Sequence, residues 1–162
     1  MPELTNYIGH HLSPCPQEDL HRRLFLSIAE ENHLTADSSK LEEIASEIQA
    51  ERDAERRYRR LTTGSNVYIT QEFLEEEFRE CLDEAREEYF TDLILDSVIR
   101  QEDIRVTYEE ALEEAKAIAA RQDTTLEFVV RFFGEDLKGI HRDLQRRRAE
   151  HLIMDSMVFI SE

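Results

Sequence analysis

The stretch Tyr89–Ala119, YFTDLILDSVIRQEDIRVTYEEALEEAKAIA, decides the fold. Tyr89, Phe90, Leu93, Ile94, Leu95, Val98 and Ile99 recur at helical spacing and make a broad apolar face, the pattern of a helix buried in a core. Asp103–Val106 interrupts that pattern. Thr107 followed three positions later by Glu110 is a capping box, in which a hydroxyl and a carboxylate each satisfy a free backbone donor. Ala111, Leu112, Ala115, Ile118 and Ala119 then resume the helical period. Two amphipathic helices joined by a short polar turn predict an all-α protein.

Upstream, Thr70 is placed to cap a helix that ends near Gln101, roughly 45 Å long at about 1.5 Å per residue. Its first half carries only a narrow stripe, Phe73, Leu74, Phe78, Leu82 and Ala85, so that half is expected to stand away from a core. A helix is predicted from Gln17 to Asn32 on the face Leu20, Leu24, Phe25 and Ile28. Ser39 with Glu42 reads as the capping box of the next, whose face is Leu41, Ile44, Ala45 and Ile48. Beyond Gln49 its apolar residues thin to Ala54, Tyr58 and Leu61 before Gly64; a turn over residues 62–66 and an extended Val67-Tyr68-Ile69 follow.

Downstream, Asp123–Thr125 restarts a short helix, Leu126–Phe133, with Gly134 as its expected left-handed cap. The last helix, about Glu135–Asp155, shows Leu137, Ile140, Leu144, Leu152 and Ile153, and an apolar tail, Met157–Ile160, needs a surface to pack on. Gly139 weakens the first turn of that helix by about 1 kcal/mol relative to Ala. Pro2, Pro14 and Pro16 mark residues 1–16 as an extended leader or linker.

Composition agrees with helices: 162 residues hold only 4 glycines and 3 prolines, and 40% hydrophobic content suffices for one sizeable domain or two small lobes. A net charge of −17 opposes nucleic acid and anionic lipid surfaces as partners. No apolar run approaches the roughly 20 residues that span a bilayer. Cys15 and Cys81 are far apart, no Cys-x-x-Cys pair occurs and no secretory leader is read, so free thiols in a reducing cytoplasm are expected. No sequence signature of a cofactor, nucleotide or metal is found.

An internal repeat adds structure to this outline. Leu24–Ile44 is similar to Ile94–Ala115: an apolar helix end, a polar turn, a lone apolar residue, then a Ser or Thr start leading into a Leu-Glu-Glu helix. Ile28, Leu34, Ala36 and Leu41 correspond to Val98, Ile104, Val106 and Leu112, with a one-residue slip after the turn. Two copies point to two helix hairpins on one plan, since a lone hairpin cannot bury its apolar face.

The order of these parts resembles the carboxy-terminal domain of trigger factor, the ribosome-associated chaperone family. The resemblance is densest over Phe78–Ala119 and over Phe128–Glu162, FVVRFFGEDLKGIHRDLQRRRAEHLIMDSMVFISE. Arg22–Ile48, RRLFLSIAEENHLTADSSKLEEIASEI, is similar to the family's first arm where it leaves the body, and Pro2-Glu3-Leu4-Thr5 to its linker after the isomerase domain. The resemblance implies an elongated helical body, from residues 17–45, 87–107 and 135–162, with two protruding hairpin arms, about 46–86 and 108–134. It implies holding of unfolded or nascent polypeptide without nucleotide, and no enzyme. The chain lacks a Gly-Phe-Arg-x-Gly-Lys ribosome-docking loop and the isomerase domain, so ribosome binding is expected only if other domains accompany it.

The candidate client-binding residues are Tyr58, Leu61, Val67, Tyr68, Ile69 and Phe73, expected as an apolar patch too large for a hairpin tip to bury, together with Phe128 and Phe132. For Phe128, Phe132 and Phe133 the residues alone favour packing against a neighbour, with one of them left to line a cradle. Adjacent carboxylates such as Glu75-Glu76, Glu87-Glu88 and Glu109-Glu110 do not face one another on a helix and read as a solvated face. His10, His11 and His21 lack the spacing of a tetrahedral metal set, and Cys81 has no base beside it and is expected on the inner face of its helix. Arg56, Arg57, Arg59 and Arg60 form a basic island that suits a soluble rim or pairing with the Glu-rich opposite helix better than RNA. The competing reading is a helical scaffold or dimerisation module for a folded partner, and a homodimer fits either reading.

Overall fold

The computed structural model describes residues 1–64 and 68–160. The protein is mostly helical, and among the described residues six α-helices and two short strands form two compact units. One unit comprises Met1–Leu24 and Leu93–Glu162, the other Phe25–Asp92. The division falls within helices α1 (Leu20–Glu31) and α3 (Gln71–Gln101). No described helix is long and apolar enough to cross a membrane.

The repeat seen in sequence becomes a repeated backbone motif. α1 ends with His33 at φ 54°, its N–H on the Glu30 carbonyl and the Leu34 N–H on the Ala29 carbonyl. α3 ends the same way: Asp103 at φ 50° donates to Arg100, and Ile104 to Ile99. α4 (Tyr108–Arg121) ends likewise at Asp123, φ 49°, with Thr124 donating to Ala119. Each is a Schellman cap, closing two otherwise orphaned carbonyls, and each uses His or Asp where glycine is usual. The lone apolar residue of the repeat, Leu34 or Ile104, is the residue that follows the left-handed position, where a hydrophobic contact normally accompanies the motif.

In the second unit, α2 (Ser38–Thr63) packs against the Gln71–Asp92 part of α3. Its N-cap is Asp37, whose carboxylate accepts from the Ser39 N–H at 2.9 Å; the Ser39–Glu42 capping box expected from sequence is therefore displaced by an acid two residues earlier. Thr70 caps α3 as expected, its hydroxyl accepting from Phe73 N–H at 3.1 Å. The hairpin core is small and made of small residues: Ala45, Cys81 and Ala85 are fully buried, flanked by Leu41, Ile44, Ile48, Phe78 and Leu82. Cys81 thus lies on the inner face of its helix, and burial pushes its thiol pKa up.

Past Gln49 the apolar seam gives way to polar pairing. Gln49 Nε2 donates to the Leu74 carbonyl at 3.1 Å, Arg52 pairs with Glu80 and Glu84, and Arg56 pairs with Glu77 and Asp53. α2 closes at Gly64, φ 69°, whose N–H reaches the Arg60 carbonyl.

The first unit is built around α4, α5 (Leu126–Phe133) and α6 (Lys138–Ser156). Ala111, Ala115 and Ala119 form a stripe of buried small side chains, against which Val129, Leu137 and Ile140 pack. The capping box at Thr107 is present in both directions, with Glu110 N–H on the threonine hydroxyl at 3.2 Å and Thr107 N–H on the Glu110 carboxylate at 2.9 Å. Gly134 has φ 89° and ψ 158°, an extended glycine-only conformation rather than the expected left-handed cap. The left-handed residue is instead Leu137, φ 54°, and α6 starts after it, three residues later than expected. Gly139 has a packing reason: a Cβ there would stand 3.0 Å from the Phe133 ring.

Residues 1–16, expected as an extended leader, are extended but not bare. Leu4, Tyr7 and Leu12 are buried, and Gln101 grips Leu4 reciprocally, Oε1 accepting its N–H at 2.7 Å and Nε2 donating to its carbonyl at 3.0 Å. The Tyr7 hydroxyl donates to Glu102, and Arg100 donates to the Pro2 carbonyl. Strand β1 (His11–Leu12) then pairs in parallel with β2 (Val158–Phe159), so the apolar tail is held by main-chain bonds from Val158 and Ile160 N–H to His10 and Leu12 carbonyls. Tail and leader fix each other, yet Val158, Phe159 and Ile160 keep nearly half their surface.

Candidate functional site

The candidate residues divide into three places. Tyr68, Ile69 and Phe73 line a groove of about 520 Å³ with Arg56, Arg59 and Arg60 of α2. Tyr58 and Leu61 do not line it. At about 100° per residue, they stand roughly 150° round α2 from the arginine face, so they are exposed on the far side of the same helix. Val67 lies outside the described residues. Phe128 and Phe132, one turn apart on α5, share an outer face of the first unit.

Of the described candidates all except Ile69, which is half-buried, are open to solvent, from 49% for Phe73 to 86% for Leu61 and Tyr68. The packing that sequence favoured for the three α5 aromatics is found only at Phe133, whose ring meets Phe132 edge-on at 5.0 Å and lies over Gly139. Phe128 and Phe132 are 58% and 76% exposed. The reason is periodicity: Val129 and Phe133 occupy the inward positions, and their neighbours one residue before point outward.

Of the basic island, Arg56 is the residue engaged in holding the hairpin. Arg56 forms a two-pronged pair with Glu77, one prong at 2.8 Å, also reaches Asp53, and sits 5.6 Å over the Phe73 ring. Hydrogen bonds donated to Glu77 hold the guanidinium firmly charged, and the same bonds hold the Glu77 carboxyl below the usual carboxylate range. Arg59 meets only Glu55, one turn back on its own helix, at 2.7 Å. Arg60 has no carboxylate partner among the described residues. Arg146, Arg147 and Arg148 of α6 are all paired, with Asp96, with Asp143 and Glu114, and with Glu110.

The arrangement offers exposed aromatic surface beside guanidinium groups, and no cluster of His, Cys, Asp and Glu that could hold a metal ion among the described residues. The chain matches no family model, no curated protein and no solved structure. What it offers is therefore read from its surface alone: exposed apolar side chains at several shallow places. Sequence reasoning found the apolar members of the groove. It missed that Arg59 and Arg60 face them, although the i, i+3, i+4 and i+7 spacing of Arg56, Arg59, Arg60 and Thr63 shows one helix face.

Proposed function

We propose that the chain is an ATP-independent holding module for unfolded or nascent polypeptide, arranged as a helical body with two hairpin arms like the carboxy-terminal domain of trigger factor. In that arrangement α2 with the first part of α3 is one arm, and α4 with α5 the other. The observation that carries the reading is the exposure of Tyr58, Leu61, Phe73, Phe128 and Phe132 on helices and of Tyr68 just before α3, with no core around them to bury them. Large apolar side chains left in water in such groups tend to mark binding surfaces. Their distribution over both compact units suits many weak contacts with an extended client, whose combined strength comes from multivalency rather than from one deep pocket. The surrounding negative charge keeps a loaded module from associating with another.

The test is light scattering by a chemically unfolded protein diluted into buffer with a small molar excess of the chain. Delayed aggregation without nucleotide is expected. Scattering unchanged by the chain, or suppressed only when ATP is added, would end the holding reading.

A further inference from the structure

We propose that the groove between the end of α2 and the start of α3 selects extended client segments in which an apolar side chain is flanked by Asp or Glu. This rests on the holding function above and names the segments that one of its surfaces prefers. Among the described residues the groove lining contains three arginines and no carboxylate, in a chain whose net charge is −17. Its apolar side is Tyr68, Ile69 and Phe73, and about 520 Å³ accommodates one or two side chains rather than a folded surface.

The arginines have different duties. Arg56 is tied to Glu77 and Asp53 and stacked on Phe73, so it is a fixed wall with no charge to spare. Arg59 is held only by an exposed ion pair within its own helix, of a kind worth about 0–1 kcal/mol and readily exchanged for a ligand carboxylate. Arg60 needs no exchange. A segment with its apolar residue against Phe73 and Ile69 places flanking carboxylates where Arg59 and Arg60 reach, and guanidinium groups receive carboxylates in a two-pronged fashion. A flanking lysine meets the same cations and is repelled.

The experiment uses the full chain and three fluorescent peptides of one length: a Leu-Phe centre flanked by Asp and Glu, the same centre flanked by Lys and Arg, and the acidic flanks around a Ser-Ser centre. Anisotropy titrations are expected to give the acidic-flanked apolar peptide an affinity about tenfold above each of the others, the size of two modest charge contacts changing sign. Arg59→Glu with Arg60→Glu, both outside the Arg56–Glu77 pair, should reverse the order of the first two peptides while the melting temperature holds. Equal or better binding of the basic-flanked peptide, or an order unchanged in the double variant, overturns the proposal. So does displacement of the peptide by a single-stranded oligonucleotide at lower concentration than by the peptide itself, which assigns the groove to nucleic acid. Aggregation suppression by the same two proteins separates the two readings: a double variant that still delays aggregation of a client with reversed peptide preference supports both. A wild type that binds the acidic peptide selectively but never delays aggregation removes the holding function alone.

Discussion

Replacing Glu77 by Gln tests whether charge, rather than apolar contact, holds the α2–α3 hairpin together beyond Gln49. The Glu77 side chain is 7% exposed and Arg56 23%, so the pair sits between a surface bridge and a buried one. Breaking a buried pair by removing one partner costs about 3–5 kcal/mol, whereas an exposed pair is worth about 0–1 kcal/mol. Arg56 keeps Asp53 and some solvent after the change, which places the expected loss near 2 kcal/mol. Because the amide is nearly the shape of the carboxylate, contact with Gln49 is retained and the loss is electrostatic.

The sign of the pH dependence separates this from a packing effect. Pairing holds the Glu77 pKa below its ordinary value, so its contribution is fully present above the unfolded carboxyl value of about 4.3 and disappears as pH falls through the lower folded value. Urea unfolding of wild type and E77Q at neutral pH should therefore differ by about 2 kcal/mol, and the two curves should converge at acid pH. Hydrogen exchange should place the lost protection in the hairpin amides of α2. A difference below about 0.5 kcal/mol at neutral pH, or one that persists unchanged at acid pH, would show that the hairpin does not depend on this pair.

Two further outcomes follow from the geometry. Burial and the bond to Glu102 push the Tyr7 pKa up to about 12, so the neutral phenol stabilises the fold below pH 10 and that stability is lost between about 10 and 12; phenolate absorbance should show one late-ionising tyrosine that vanishes in Tyr7→Phe, and a Tyr7 ionising with the rest would mean the leader is not docked. Replacing Tyr68, Ile69 and Phe73 together by Ser should weaken aggregation suppression with little change in melting temperature, whereas Leu95→Ala, at a site 3% exposed, should cost about 2–5 kcal/mol; a triple variant as unstable as Leu95→Ala would make those residues hairpin core.

Where a residue's role is set within one or two turns of chain, it was legible in the sequence. The capping box at Thr107, the Thr70 cap, the helix restart after Thr125 and the long helix ending at Gln101 rest on local hydrogen bonds and a 3.6-residue period. The repeat was legible because a Schellman cap stamps a local pattern, an apolar residue just after a polar turn. Features made by distant partners were not. Nothing near Leu4 announces Gln101, 97 residues away, because an amide gripping a backbone leaves no periodic trace. The tail's pairing with His11 and Leu12 is equally silent, two strand residues being too few for a period of two to register. Asp37 outcompeted Ser39 as cap because both are competent acceptors two positions apart, a choice of fractions of a kcal/mol that spacing does not decide.

The polar seam of the hairpin bears directly on how the groove keeps its apolar surface. An apolar zipper between α2 and α3 would have to use the residues nearest the tip, and Tyr68, Ile69 and Phe73 would then be consumed in the contact. With Arg52 and Arg56 crossing to Glu80, Glu84 and Glu77, the helices are fixed by directional bonds that do not compete for apolar area. The Arg56 guanidinium even uses the Phe73 ring as a seat while leaving half of it in water. In the holding reading, this is the property the end of the hairpin needs: a geometry set by charge and an aromatic surface left unspent, with Arg60, and Arg59 once it exchanges Glu55, placed to answer the charges that flank a client's apolar residue.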